Sequence, residues 1–93
     1  MTFNDDLIAE VAALAADLTP VSHIAAILSL DEDALRAQLS ALDSPLRSAY
    51  LKAKAETALA LRRQELEFAR IGSPVAIQLT SSYLREMDSD EDF

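Results

Sequence analysis

Residues 19–39 read TPVSHIAAILSLDEDALRAQL, two short helical stretches separated by a break. Thr19 has the side chain of a helix cap and Pro20 needs no N–H in a first turn, so a helix starting at Pro20 is expected to carry Ile24, Ala25, Ile27 and Leu28. Ser29 and Leu30 interrupt it. Asp31 then caps a second helix with Glu32 and Asp33 near the positive end of its dipole, and Leu35, Leu39 and Leu42 are expected to face one way.

Toward the N-terminus the same grammar repeats. Asn4 is a cap, Asp5 and Asp6 occupy a first turn, and Leu7, Val11, Leu14 and Leu18 follow at the spacing of one helix face, widened by Ile8 and Ala15. Thr19 and Pro20 close that helix. Toward the C-terminus, Asp43-Ser44-Pro45 opens the longest helical stretch, 46–70, which would extend about 38 Å. Ile71-Gly72 suits a left-handed stop, and Ser73-Pro74 restarts a last helix in which Ala76, Leu79, Thr80, Tyr83 and Met87 share a side beside Ile77 and Leu84.

Composition agrees with helices throughout. Of 93 residues 51% are apolar but only 5% aromatic, the excess being Ala and Leu, and one Gly with three Pro leaves little material for hairpin turns. No segment alternates over strand length. The expected fold is all-α: an N-terminal bundle over 1–44, a long helix and a C-terminal helix over 45–87, and an acidic tail over 88–93 that is expected to be disordered and dispensable for folding. A chain this short buries only roughly 60–65% of its unfolded surface, so self-association is expected to add stability.

The absence of cysteine excludes disulfides and thiolate metal sites, and His23 is the only histidine. It adjoins Ser22, but adjacent helical residues point about 100° apart and no third member of a triad is evident, so no catalytic residue is expected. Asp31-Glu32-Asp33 and the tail acids lack the Gly and distal Glu of a calcium loop, and no metal or cofactor is expected. With no apolar run near the roughly 20 residues of a membrane span, and with acids near the N-terminus, the chain is read as cytoplasmic and not membrane-bound.

The net charge of -8 is unevenly spread. Residues 1–45 carry -7, residues 46–70 carry +3 and residues 71–93 carry -4. Because fields decay over about 10 Å at ordinary salt, the basic middle permits local polyanion contact on an acidic chain. Its bases form two stripes, Arg47, Lys54 and Arg62 on one and Lys52, Arg63 and Arg70 on the other. The same charges also fit a solvated face tied by Lys52–Glu56 and Arg63–Glu67 pairs worth a few tenths of a kcal/mol. Between the stripes run Leu46, Ala49, Tyr50, Ala53, Thr57, Ala60, Leu61 and Phe68, while Leu51, Leu59 and Leu66 point elsewhere. One neighbouring helix cannot cover all of these, which again points to a homo-oligomer. Tyr50 and Tyr83, among apolar neighbours, are expected in the core rather than stacked on bases.

The order helix, three-residue break, helix over 21–39 resembles a helix-turn-helix, with Ala25 allowing close approach, Leu28 and Leu30 plugging the angle, and Ser29 where a turn glycine is common. Opposite Leu35, the second helix presents Asp33, Arg36, Ala37 and Ser40. Arg36 is the one strong base reader there, too few to specify a site. Together with Ser48-Ala49-Tyr50-Leu51-Lys52-Ala53-Lys54-Ala55-Glu56 and Ala69-Arg70-Ile71-Gly72-Ser73-Pro74, this motif makes residues 20–87 resemble small terminase subunits of tailed phages. The resemblance implies a ring assembled through the helices after the helix-turn-helix, recognition of double-stranded viral DNA for packaging in the host cytoplasm, and delivery to a large terminase subunit that holds the ATPase and nuclease. It further implies that Arg36 and Ser40 approach bases, that Thr19 and Ser22 meet phosphates, and that Arg47, Lys52, Lys54, Arg62 and Arg63 attract the DNA backbone, with the tail left to serve the motor partner. A dimeric transcription regulator, and an interaction module without DNA binding, are the competing readings of the same residues.

Overall fold

The computed structural model describes residues 3–72 and 75–93, and for residues 75–81 the backbone alone. Five helices follow one another, α1 Asp5–Ala16, α2 Val21–Ile27, α3 Glu32–Ser40, α4 Pro45–Ile71 and α5 Val75–Asp90, and there is no strand among the described residues. Local chemistry accounts for most boundaries. Asn4 accepts a hydrogen bond from the Leu7 amide at 2.8 Å, Asp31 from the Asp33 amide at 2.9 Å, and Ser44 from the Arg47 amide at 3.3 Å with Pro45 opening α4. Each cap satisfies an amide that has no partner inside its own helix.

Helices α1 and α2 stop by the same device. Leu18 (φ 59°) and Ser29 (φ 55°) adopt the left-handed conformation, and the amides after them reach back to Leu14 O at 3.0 Å and Ala25 O at 2.8 Å. These are Schellman closures formed without glycine. Helix α4 ends at Gly72 (φ 75°), whose amide reaches the Phe68 carbonyl. Ser73, Pro74 and the side chains of Ala76, Ile77, Leu79 and Thr80, on which the restart and the apolar side of the last helix were expected, lie outside the described residues.

Two sequence expectations at element ends are corrected. Thr19 does not cap α2: Pro20 itself takes the cap position (φ -59°, ψ 151°), buried, and offers no side-chain acceptor. Leu42 does not continue the Leu35 and Leu39 face, because Ala41 is extended (ψ 118°) and takes the chain off the helical period, leaving Leu42 86% exposed.

The core is one cluster. Val11, Ala15, Leu18, Val21, Ile24, Ala25, Leu35, Leu39, Leu46, Tyr50 and Met87 are buried, with Ile8, Leu14, Leu28, Leu30, Ala53, Leu61 and Leu84 packed around them. Helix α1 lies along α4, α2 packs on α3 and α1, and α3 rests on the start of α4. At about 1.5 Å per residue α4 is more than twice as long as α1, so it outruns the bundle and gives the molecule its 48 × 20 × 19 Å extents. Helix α5 returns along α4, and its last turn reaches α2, α3 and the first half of α4.

Two side chains tie helix ends to α4. The Thr57 hydroxyl donates to the Ala16 carbonyl at 2.6 Å and Arg47 Nη1 donates to the Leu39 carbonyl at 2.7 Å, closing the C-terminal ends of α1 and α3. Thr57, read from the sequence as part of an apolar strip, is there to supply a donor. Residues 88–93 are the largest departure from expectation. Rather than a disordered tail, 88–90 complete α5 and 91–93 fold against the body of the protein.

Candidate functional site

The C-terminal segment lies in a cleft whose walls come from α2, α3 and α4. From α2, the Ser22 amide donates to Asp90 Oδ2 at 2.8 Å and its hydroxyl reaches both carboxylate oxygens at 3.1 and 3.2 Å. Asp90 thus supplies the acceptor that Thr19 and Pro20 do not. From α3, Arg36 places Nη1 2.8 Å from the Asp90 carbonyl and 3.4 Å from that of Asp92, and Nη2 3.4 Å from Asp90 Oδ2. Its Nε bonds Glu32 one turn back at 3.1 Å, so the guanidinium is held from two sides.

From α4 come Tyr50 and Lys54, one turn apart on one face. The Tyr50 hydroxyl donates to Glu91 Oε1 at 2.8 Å, and the Lys54 ammonium bonds the same oxygen at 2.5 Å and the Asp88 carboxylate. Phe93 closes the arrangement by setting its ring edge-on to Tyr50, centroids 5.8 Å apart at 84°. Every buried side-chain polar atom among the described residues has a partner.

Charge and burial shift two of these groups. Burial, reinforced by the Glu91 hydrogen bond and by the charges of Glu91, Asp90 and Asp88, pushes the Tyr50 phenol above its ordinary value and keeps it a donor. Burial by itself would lower the Lys54 ammonium, but its bonds to Asp88 and Glu91 outweigh that and hold it above the usual lysine value. The cleft therefore holds a protonated phenol, an ammonium and a guanidinium against three carboxylates.

Of the residues singled out for DNA contact, the structure brings Ser22, Arg36 and Lys54 together, and all three bind the protein's own C-terminal end. Ser40 turns its hydroxyl back to the Ala37 carbonyl at 2.9 Å, Arg47 is engaged with Leu39, and Thr19 is half-buried beside Pro20. Lys52 is exposed and stands 3.9 Å from Glu56, as expected. The expected Arg63–Glu67 pair does not form; Glu67 meets Arg70 at 3.4 Å. Arg62 and Arg63 are exposed on the second half of α4, apart from the cleft, and among the described residues neither is in an ion pair.

Tyr50, Asp88, Asp90, Glu91 and Phe93 were not picked out as site residues from the sequence. The signal available was Phe93, an aromatic residue closing an acidic run, which a purely solvated tail does not need. Sequence placed Tyr50 correctly in the core but gave no partner for its hydroxyl.

A second surface lies along the exposed half of α4. Leu59, Leu66 and Ile71 are 43%, 61% and 71% exposed, and Tyr83 of α5 is exposed as well. Arg62, Glu65, Leu66 and Ala69 line an apolar groove there. At 100° per residue Leu59, Arg62, Arg63, Leu66 and Arg70 fall within about 100° of one another, an apolar and basic face in one. Among the described residues no three metal-ligating side chains gather, and no helix is long and apolar enough to cross a membrane. Compared with models of known families, with curated proteins and with solved structures, the chain matches none.

Proposed function

We propose that the protein is a self-associating, DNA-binding adaptor of the small-terminase type, in which α2 and α3 form a helix-turn-helix and α4 with α5 forms the oligomerisation hairpin. The observation that carries this reading is the face of α4 beyond the bundle. Leu59 and Leu66 are large apolar side chains left in water, and Arg62, Arg63 and Arg70 stand beside them. A small domain rarely leaves such a row uncovered, and an interface between copies would cover it. Charge supports a head-to-tail contact: the Leu59 and Leu66 row with Arg70 on one copy complements the N-terminal region of the next, which carries -7 over residues 1–45, while Arg62 and Arg63 flank the row on opposite sides, at the rim of the contact, and stay open to DNA. Contacts between unlike surfaces close into rings when the rotation allows. Double-stranded DNA and a large motor subunit are the partners this reading assigns, and the chemistry of packaging belongs to the latter.

The test is light scattering after size-exclusion chromatography, with and without a DNA duplex at low salt. A closed assembly larger than a dimer is expected, and Leu59→Glu with Leu66→Glu should reduce it to smaller species that remain helical by circular dichroism. Arg62→Ala with Arg63→Ala should weaken duplex binding and flatten its salt dependence by about two units of log–log slope. A monomer indifferent to DNA at low salt would remove the proposal. An interaction module without DNA binding is the second reading, favoured by the occupation of Ser22, Arg36 and Lys54 by the chain's own acids.

A further inference from the structure

The residues that close on the C-terminal segment are the kind that bind phosphodiesters. A guanidinium whose Nε is held by Glu32 and whose Nη atoms face the segment, an ammonium, a phenol O–H and a serine amide and hydroxyl converge within one cleft as donors, and each takes a carboxylate or carbonyl oxygen from residues 88–93. Phosphate oxygens would meet the same donors with the same sign of charge. Two elements of the candidate DNA-reading unit, α2 and α3, supply part of that wall. Arg36, expected from the sequence to be the base reader of α3, is turned onto Asp90.

We propose that this cleft is a binding site for the phosphodiester backbone of double-stranded DNA and that the acidic C-terminal segment occupies it as an intramolecular competitor. The proposal rests on the DNA-binding reading above and adds the site's regulation. The Asp88 and Glu91 carboxylates on Lys54, and the Asp90 carboxylate on Ser22 and Arg36, stand in for phosphate oxygens; Phe93 against Tyr50 fastens the segment from the apolar side. A duplex must displace the segment to reach Arg36 and Lys54, so the intact chain binds more weakly, and with fewer cations, than the cleft permits. The exposed Arg62 and Arg63 lie outside the covered region and supply the attraction that remains in the closed state.

The test replaces Asp88→Asn, Asp90→Asn and Glu91→Gln together. The amides keep the oxygen acceptors for Ser22 and Tyr50, so the fold is retained while the charge that holds the segment is removed. A second variant, Glu10→Gln, Asp17→Asn and Asp43→Asn, changes net charge by the same amount at exposed positions whose side chains make no bond to the cleft residues. Binding to a fluorescent 20-base-pair duplex is titrated from about 50 to 200 mM salt. The tail variant is expected to bind about tenfold or more tightly than the unmodified chain, with a log–log salt slope steeper by about two units as Arg36 and Lys54 become available. Adding Arg36→Ala to it should reverse most of that gain.

An equal gain in the charge-matched variant would overturn the proposal, because net charge alone would then explain it. So would unmodified affinity in the tail variant while the unmodified chain binds through Arg62 and Arg63, an outcome that leaves the DNA-binding reading standing. Failure of every variant to bind any duplex at low salt would overturn both.

Discussion

Ser29 shows what a single backbone angle asks of a residue. Its φ of 55° lies where an L side chain crowds the following carbonyl, yet the Schellman closure of α2 requires it. Serine stands where the sequence pattern of such turns commonly has glycine, and the backbone keeps the conformation regardless. Ser29→Gly should therefore stabilise the protein by about 0.5–1 kcal/mol in urea unfolding, whereas Ser29→Val should destabilise it by more than that. Tyr50 and Lys54 carry a pH dependence of definite sign. Both hold their protons more tightly in the folded chain, so their contribution is full below their ordinary values of 10.0 and 10.5 and declines as pH rises above them, where the unfolded chain has already released its protons. Urea unfolding between pH 9 and 11 should show stability falling only above about pH 10, and Tyr50→Phe should make that fall shallower by about 1.4 kcal/mol per pH unit. An unchanged slope in the variant would disconnect the phenol from alkaline unfolding.

Among the elements, the helices that local signals define well are those that their caps and apolar periods define together. Asn4, Asp31 and Ser44 were readable as caps because each acts on an amide two or three residues away. Leu35 and Leu39 were readable as core because they lie on one face inside α3, and Leu42 was misread because the period was carried past the point where Ala41 leaves the helix. The pair gives a clean contrast. Leu35→Ala should cost about 2–5 kcal/mol by emptying a fully buried site, while Leu42→Ala should change stability by less than about 0.5 kcal/mol, both measured by chemical denaturation. Helix α2 is the exception among caps. It is only seven residues long, begins on Pro20 and borrows Asp90 from the other end of the chain, so its start depends on tertiary contact.

For the whole molecule, the docked C-terminus joins the last residues to all three walls of the bundle. It follows directly on the buried Met87, pairs Lys54, satisfies the Tyr50 hydroxyl and completes the start of α2. Removal of residues 88–93 should accordingly lower the melting temperature by about 10 °C, corresponding to a loss of about 2 kcal/mol in a domain of this size, and not leave it unchanged as a solvated tail would. An unaltered melt would show that the segment contributes nothing to the fold. Scale also separates the two candidate surfaces. The cleft is assembled from three helices, whereas the Leu59, Arg63 and Leu66 face is a property of α4 alone and is exposed because it lies on the side of α4 opposite the Tyr50, Ala53 and Thr57 face that packs on the bundle.

The sequence by itself determined the all-helical class, three of the caps, the left-handed stop at Gly72 and the faces that form the core, because each is decided by neighbours within about one or two helical turns. The basic middle and the acidic ends were also legible as charges. Whether they meet was not. Asp90 bonds residues 54 and 68 positions away, and Glu91 bonds residues 37 and 41 away, so no local pattern distinguishes a docked acidic segment from a solvated one. That choice is made by tertiary structure: α5 returns along α4 for a length that brings its last turn to Ser22, Arg36, Tyr50 and Lys54, where burial strengthens the pairing of opposite charges.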